Sequence, residues 1–275
     1  MNTIVSNGKI LDITKPLVMG ILNMTPDSFY EKSRVIDVED AVMRTGSMLE
    51  QGAKIIDIGG MSSRPGADFI SIEEEMERVI PVIKAVRRTF PDAFLSVDTF
   101  RLEIAEQATN EGIDIINDIS AGTIDPRLPE FIASKKMPYI FMHMSGTPKT
   151  MQQNPFYNDV VQEILKFMIN KIRYFRSLGI DQLIADPGFG FGKSIEDNYK
   201  ILNYLDVFKI AEVPLLVGIS RKSMLYRLLK ITSEQSLNAT TAMHVVALQK
   251  GANILRVHDV KEAVEVIRLL EKLKA

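Results

Sequence analysis

Short apolar stretches of this chain end, one after another, in side chains that can bind or ionise. They are Asn23, Asp57, Asp98, Asn117 with Asp118, His143, Asp186, Ser220, and Arg256 with His258. Asp98, Asn117 and Asp186 supply acceptors and an amide, which suits a flat ligand carrying an amidine-like edge of N–H donors beside a carbonyl. Lys222 can donate to that carbonyl. Arg64, Arg256 and His258 are donors of the kind that hold phosphate oxygens, and Ser62, Ser63 and Ser220 add hydroxyls. Carboxylates at one end and an anion site at the other fit a heteroaromatic phosphate ester. The competing explanation is that strand-end polar residues merely cap the next helix. It suits Asp118 and Asp57 but not eight such positions in succession, several of them inside Gly/Pro loops.

Other chemistries are excluded or disfavoured. With no cysteine among 275 residues, disulfides, thiolate metal sites and a cysteine nucleophile are ruled out. The three histidines are far apart, so no histidine-rich zinc motif forms. His143 lies between two methionines and reads as structural, and His244 sits inside a helical pattern as a packing or surface residue. His258 follows Arg256 by two on one strand, so both face the same way and an anion-binding role is preferred. Gly188, Gly190 and Gly192 before Lys193 and Ser194 resemble a phosphate-binding loop, but Pro187 occupies the position of its first glycine. The run reads instead as a flexible loop that lets backbone approach a ligand. A formal net charge of -2 gives no electrostatic footprint for nucleic acid or an anionic membrane. No apolar run reaches the roughly 20 residues of a membrane span, and the N-terminus lacks a signal-peptide pattern. The expectation is a cytoplasmic protein acting on small molecules.

Something must hold these side chains together. Residues 3–13 read as strand, turn, strand, with the tight-turn pair Asn7-Gly8 between. Apolar runs at 18–22, 55–58, 94–97, 113–116, 139–142, 183–185, 215–217 and 254–257 suit strands buried on both faces. Helical patterns alternate with them at 38–51, 72–89, 102–110, 126–134, 158–177, 195–205, 237–249 and 260–274. The expectation is one α/β domain over residues 1–275, a (β/α)8 TIM barrel with an N-terminal β-hairpin. An open doubly wound sheet is the alternative. In such barrels the active site lies at the C-terminal ends of the strands, where the polar residues above fall.

The motifs carry a resemblance. MGILNMTPDSF (19–29), IDIGG (56–60), SSRPGA (62–67), SVDT (96–99), INDIS (116–120), MHMSGTP (142–148), DPGFGFGK (186–193), GISRKS (218–223) and RVHDV (256–260) follow one another in an order that resembles the dihydropteroate synthase family of pterin-binding enzymes. The resemblance runs over essentially the whole chain. It implies a (β/α)8 barrel and a transferase of folate biosynthesis. That enzyme condenses hydroxymethyldihydropterin diphosphate with para-aminobenzoate to give dihydropteroate and diphosphate.

By the same resemblance, Asp98, Asn117, Asp186 and Lys222 hold the pterin edge, while Met142, Phe191 and Arg256 pack on the ring faces. Asn23 helps hold Mg2+ on the diphosphate. Ser63, Arg64, Arg256 and His258 bind the diphosphate, with Asn23 beside them. Phe29, Ser63, Pro65, Ser220 and Lys222 shape the para-aminobenzoate site, which is the family's sulfonamide target. Asn23, Lys222 and Arg256 are the expected catalytic residues. The implied mechanism is dissociative: diphosphate leaves first, and the arylamine attacks a cationic pterin methylene. The resemblance also implies a homodimer, in keeping with residues 237–249, which are apolar around the helix. The chain departs from the family where 30–34 lack glycine and where Met61 replaces a carboxylate. A corrinoid-dependent pterin methyltransferase domain and a non-catalytic pterin-binding paralogue are the rival readings.

Overall fold

The computed structural model describes residues 2–24, 34–61, 69–146 and 155–274. An antiparallel hairpin, β1 (Thr3–Ser6) and β2 (Lys9–Asp12), comes first. Its turn residues Asn7 and Gly8 both have positive φ, 48° and 73°, as the tight two-residue turn requires. Eight parallel strands follow: β3 (Leu17–Asn23), β4 (Ile55–Gly59), β5 (Phe94–Asp98), β6 (Ile115–Asp118), β7 (Tyr139–Met142), β8 (Leu183–Asp186), β9 (Leu216–Val217) and β10 (Ile254–Val257). They are hydrogen-bonded in the order β8-β7-β6-β5-β4-β3-β10-β9. A parallel bridge between Ala185 and Leu215 joins the two ends of that row. This bridge decides between the two expected architectures, because an open sheet would leave β8 and β9 as separate edges. The barrel is closed.

Helices α1 (Arg34–Glu50), α2 (Ile72–Thr89), α3 (Leu102–Asn110), α4 (Leu128–Lys135), α5 (Val160–Ser177), α6 (Ile195–Asn203), α7 (Ser223–Leu229), α8 (Leu237–Lys250) and α9 (Val260–Lys274) alternate with the strands. The apolar pattern anticipated all but α7, a seven-residue helix that starts immediately after Lys222. The strand expected at 113–116 begins two residues later, which brings Asn117 and Asp118 into β6.

Alternation along the strands builds two different cores. Ile56, Ile58, Leu95, Val97 and Ile116 face outward into the layer shared with the helices. Ile55, Phe94, Ile115, Ile140, Ile184, Leu216 and Ile254 face the barrel axis and form an apolar floor with Ile4 and Leu11 of the hairpin. Successive same-face positions on a strand differ by two. Two residues beyond this floor the strands carry Asp57, Ser96, Asn117, Met142, Asp186, Gly218 and Arg256. The barrel interior therefore changes from hydrocarbon to a mainly polar layer within one step along the strands, and the site rests on that floor.

Candidate active site

Arg256 is the centre of the polar layer. Its Nε donates to Asp57 Oδ2 at 2.6 Å and its Nη2 to Asp98 Oδ2 at 2.7 Å. Asn117 Nδ2 donates to the same Asp57 oxygen at 3.0 Å. Strand register explains the grouping: Asp57 lies beside Ser96 and Gly59 beside Asp98 across β4 and β5, and Asp98 beside Asn117 across β5 and β6. Gly59 also separates Asn23 from Asp98. A Cβ placed on it would lie 3.6 Å from Asn23 Oδ1 and 3.7 Å from Asp98 Oδ2, so both oxygens border the same space.

Two strands round the barrel from Arg256, Asp186 ends β8 and accepts the Gly188 N–H through Oδ1 at 2.7 Å. Lys222 directs its ammonium onto the Phe189 carbonyl and over the Phe191 ring, 4.6 Å from the centroid. Met142 and Phe191 belong to one apolar cluster with Phe100 and Ile119, against which Met61 packs. Met61 thus fills apolar space where the resemblance expects a carboxylate. The site has one hydrophobic wall and one ionic wall, which meet where Lys222 lies over Phe191.

Burial sets the ionisation of the ionic wall. It pushes the Asp98 carboxyl up to about 7, against the pull of Arg256 and with the help of the Asp57 charge. It raises Asp186 too, opposed by Lys222 and the Gly188 N–H. It brings the Lys222 ammonium down to about 8, opposed by Asp186 and reinforced by Arg256. For Arg256 the desolvation is outweighed by Asp57 and Asp98, which hold the guanidinium above its usual range.

The expected site residues separate into groups. Asp98, Asn117 and Arg256 are linked through Asp57 and through each other, Asp186 and Lys222 lie within electrostatic reach of Arg256, and Met142 and Phe191 share one apolar cluster. Asn23 stands at the end of β3, half-buried. Ser220 is buried, and its Oγ accepts the His258 backbone N–H at 3.2 Å, tying the 218–223 loop to the end of β10. His258 itself is exposed beyond β10. Phe29, Ser63, Arg64 and Pro65 lie outside the described residues, as does Ser62. His143 is buried, its ring edge-on to Phe167, and burial followed by the Lys193 charge drives its pKa down to about 3. His244 is buried within α8, where burial lowers it to about 4. Both are packing residues.

Three sequence readings need correction. Asp118 caps the turn after β6 rather than the next helix, accepting from the Ser120 and Gly122 backbones and from Tyr139 Oη, while α4 starts only at Leu128. Asp57 is not a cap: it faces the barrel axis at 0% exposure and binds Arg256 and Asn117. The signal was present, because an aspartate inside the unbroken run Ile55-Ile56-Asp57-Ile58 must be buried and so must have partners. The glycine loop, read as flexible, is locked. Lys193 Nζ donates to the carbonyls of His143, Gly188 and Phe191 at 3.2, 2.8 and 2.9 Å, and Asn198 caps the Gly190 N–H. Gly188 and Gly192 back directly onto the 143–145 backbone, where a Cβ would meet His143 O and Ser145 O.

Comparison with known proteins places this geometry. The family model described as pterin binding enzyme matches residues 19–258. The chain is 44% identical over 268 residues to dihydropteroate synthase of Escherichia coli strain K12, covering 97% of this chain and 94% of that one. The crystal structure of Yersinia pestis dihydropteroate synthase with a sulfonamide drug superimposes with a TM-score of 0.93 at 41% identity, over 99% of both chains. Xanthomonas albilineans dihydropteroate synthase with 4-aminobenzoic acid gives a TM-score of 0.93 at 39% identity, over 100% of this chain and 98% of that one. The chain belongs to the pterin-binding enzyme family. Its activity is that of the dihydropteroate synthases, transferases of folate biosynthesis, rather than that of the corrinoid-dependent rival.

Proposed function

We propose that this activity is carried by the polar layer of the barrel. Asp98, Asn117 and Asp186 take the N–H edge of hydroxymethyldihydropterin diphosphate, Lys222 donates to its carbonyl, and Met142 and Phe191 flank its ring. The observation that carries this reading is the ring of acceptors and donors around Arg256, set one step above the apolar floor. A planar ligand there meets acceptors, an amide, an ammonium and an apolar wall together. Arg256 presents its remaining N–H groups to the diphosphate. Arg64, Ser63 and His258 complete the anion site, and Phe29, Ser63, Pro65, Ser220 and Lys222 form the para-aminobenzoate side.

The chemistry asks for stabilised charge separation more than for a base. Negative charge grows on the departing diphosphate, and guanidinium groups held in a water-poor pocket stabilise it most in the transition state. A neutral arylamine is already nucleophilic, so no residue has to remove its proton before attack on the pterin methylene. Among the described residues no group of three metal-ligating acidic or histidine side chains occurs. Asn23 Oδ1, bordering the space shared with Asp98, fits a site in which one protein oxygen meets Mg2+ and the substrate phosphates and water supply the rest. Mg2+ bound there would supply positive charge to the leaving diphosphate. Free protein should therefore bind Mg2+ weakly by calorimetry, and tightly only with pterin diphosphate present.

The chain is expected to act as one barrel domain, as a homodimer and in the cytoplasm; no described helix is long and apolar enough to cross a membrane. The deciding assay is diphosphate release that requires both pterin diphosphate and para-aminobenzoate. Tight pterin diphosphate binding with no turnover would instead support the non-catalytic paralogue.

A further inference from the structure

Asp57 is the most deeply placed charge of the polar layer, and its geometry is lopsided. One oxygen, Oδ2, accepts from both Arg256 Nε and Asn117 Nδ2. The other, Oδ1, is buried with no hydrogen-bond partner among the described residues. A carboxylate with an unsatisfied oxygen at 0% exposure costs folding free energy. Stability alone does not explain it, since an apolar side chain would continue the hydrocarbon floor directly beneath. Its contacts do explain it. Both partners are ligand-facing groups, one on the pterin edge and one toward the anion.

We propose that Asp57 is a positioning residue. It holds the Arg256 guanidinium and the Asn117 amide through a single oxygen, so that the pterin edge and the anion-facing N–H groups keep one fixed relation during turnover. The proposal rests on the reading above that Asp98 and Asn117 receive the pterin. Arg256 is shared between two carboxylates, Nε with Asp57 and Nη2 with Asp98. These bonds lie on one edge of the planar fork and leave the opposite edge for phosphate oxygens. Asp98 is the partner a pterin must share or displace, because its oxygen is the acceptor the substrate N–H groups need. When Asp98 gives up that bond, the bond from Asp57 to Nε remains. Asp57 lies below the ligand, and its Oδ2 is already committed to both neighbours. On Asn117 the same bond fixes which end of the amide is turned downward, and so directs the carbonyl oxygen away from Asp57.

The test separates positioning from folding. Asp57→Asn, verified as folded by circular dichroism, keeps the shape and removes the charge that organises Arg256. Its turnover number should fall about tenfold or more, since breaking one side of a buried ion pair loses geometry as well as charge. The KM for para-aminobenzoate should change little. The acid limb of the pH–rate profile should move to lower pH, because Asp98 loses a carboxylate neighbour that raises it and keeps Arg256 more to itself. A folded Asp57→Asn enzyme with unchanged turnover and an unshifted acid limb would overturn the proposal. If the variant does not fold, the wild-type protein still decides. The Arg256 Nε–H signal, assigned by its loss in Arg256→Lys, should stay protected from exchange when hydroxymethylpterin binds. Loss of that protection on binding would show that Asp57 is not the fixed hold. Wild-type enzyme that fails to make dihydropteroate would defeat the functional reading instead, so the two failures are distinguishable.

Discussion

Asp186 offers a ligand one uncommitted oxygen, because the other accepts the Gly188 N–H. That oxygen meets pterin N–H groups in ground and transition state alike, so Asp186→Asn sets a donor against a donor. The loss should be on the order of 1–3 kcal/mol, roughly tenfold or more in pterin affinity by calorimetry. Arg256 matters differently, since the charge it faces grows as diphosphate departs. Arg256→Ala should lower turnover as well as affinity, and normal turnover in that variant would remove it from the diphosphate end. The pH profile follows from the same wall. Asp98 must be ionised to accept from substrate and Arg256 together, so kcat/KM for the pterin substrate should fall as pH drops through about 7. Lys222 must be charged to donate to the pterin carbonyl, so activity should fall again as pH rises through about 8. A flat profile across both values would count against these two assignments. At this scale the sequence was readable wherever a polar residue ended an apolar run, as with Asp98, Asn117 and Asp186. It misled at Asp57, because residue type alone does not distinguish a cap from a buried anchor.

The loop that follows β8 shows how far an element can be read before its packing is seen. Three glycines invite a flexible reading, yet Gly188, Gly190 and Gly192 all sit at positive φ, clamped by Lys193. Lys193 is buried, and burial lowers its pKa to about 7. Contacts between two distant loops, here 143–145 and 188–193, have no periodicity to betray them. In Gly188→Ala the new methyl would lie 2.0 Å from the His143 carbonyl oxygen, so the loop would have to move and carry Phe191 and the Asp186 cap with it. We expect about 3 kcal/mol or more of lost stability together with weakened pterin binding, read by thermal denaturation and calorimetry. Gly179→Ala is the contrast. It too has positive φ, 91°, but nothing lies within 4 Å of its added methyl. It should cost about 1 kcal/mol of stability and leave turnover unchanged. Equal effects of the two substitutions on pterin binding would mean that the loop clamp does not shape the pocket. The helix α7 escaped notice for a related reason: its seven residues follow Lys222 without a gap and carry no long apolar period.

On the scale of the molecule, the eight-fold alternation of apolar runs and helical patterns made the barrel legible, but nothing in the pattern closed it. Closure rests on a single bridge, Ala185 to Leu215, a long-range pairing that local periodicity does not encode. The proposed dimer is likewise not written in α8 alone, since α6, α7 and α9 already cover much of that helix. Exposed apolar side chains on the elements that pack against α8 include Leu228 and Leu229 of α7, Ile210, and Leu269 and Leu273 of α9. Sedimentation at micromolar concentration should show a dimer, and a monomer there would withdraw it. The barrel also divides its labour between its two ends. At the closed end, Asp114 is fully buried and accepts from Asn7 Nδ2, Lys9 Nζ, Arg87 Nη2 and the Leu95 backbone N–H. It thereby pins the hairpin whose Ile4 and Leu11 complete the apolar floor. Asp114→Ala would strand two cations that are less than one-fifth exposed, a loss of about 3–5 kcal/mol for a buried pair. That is a large part of the roughly 5–15 kcal/mol that keeps a domain folded. The site, however, lies at the opposite ends of the strands, above the floor. The variant should therefore melt well below the wild type, while the protein that remains folded at low temperature keeps its KM for both substrates and its turnover number. If pterin affinity fell along with the melting temperature, the floor would be transmitting strain to the polar layer, and the separation of a stabilising end from a reacting end would not hold for this barrel.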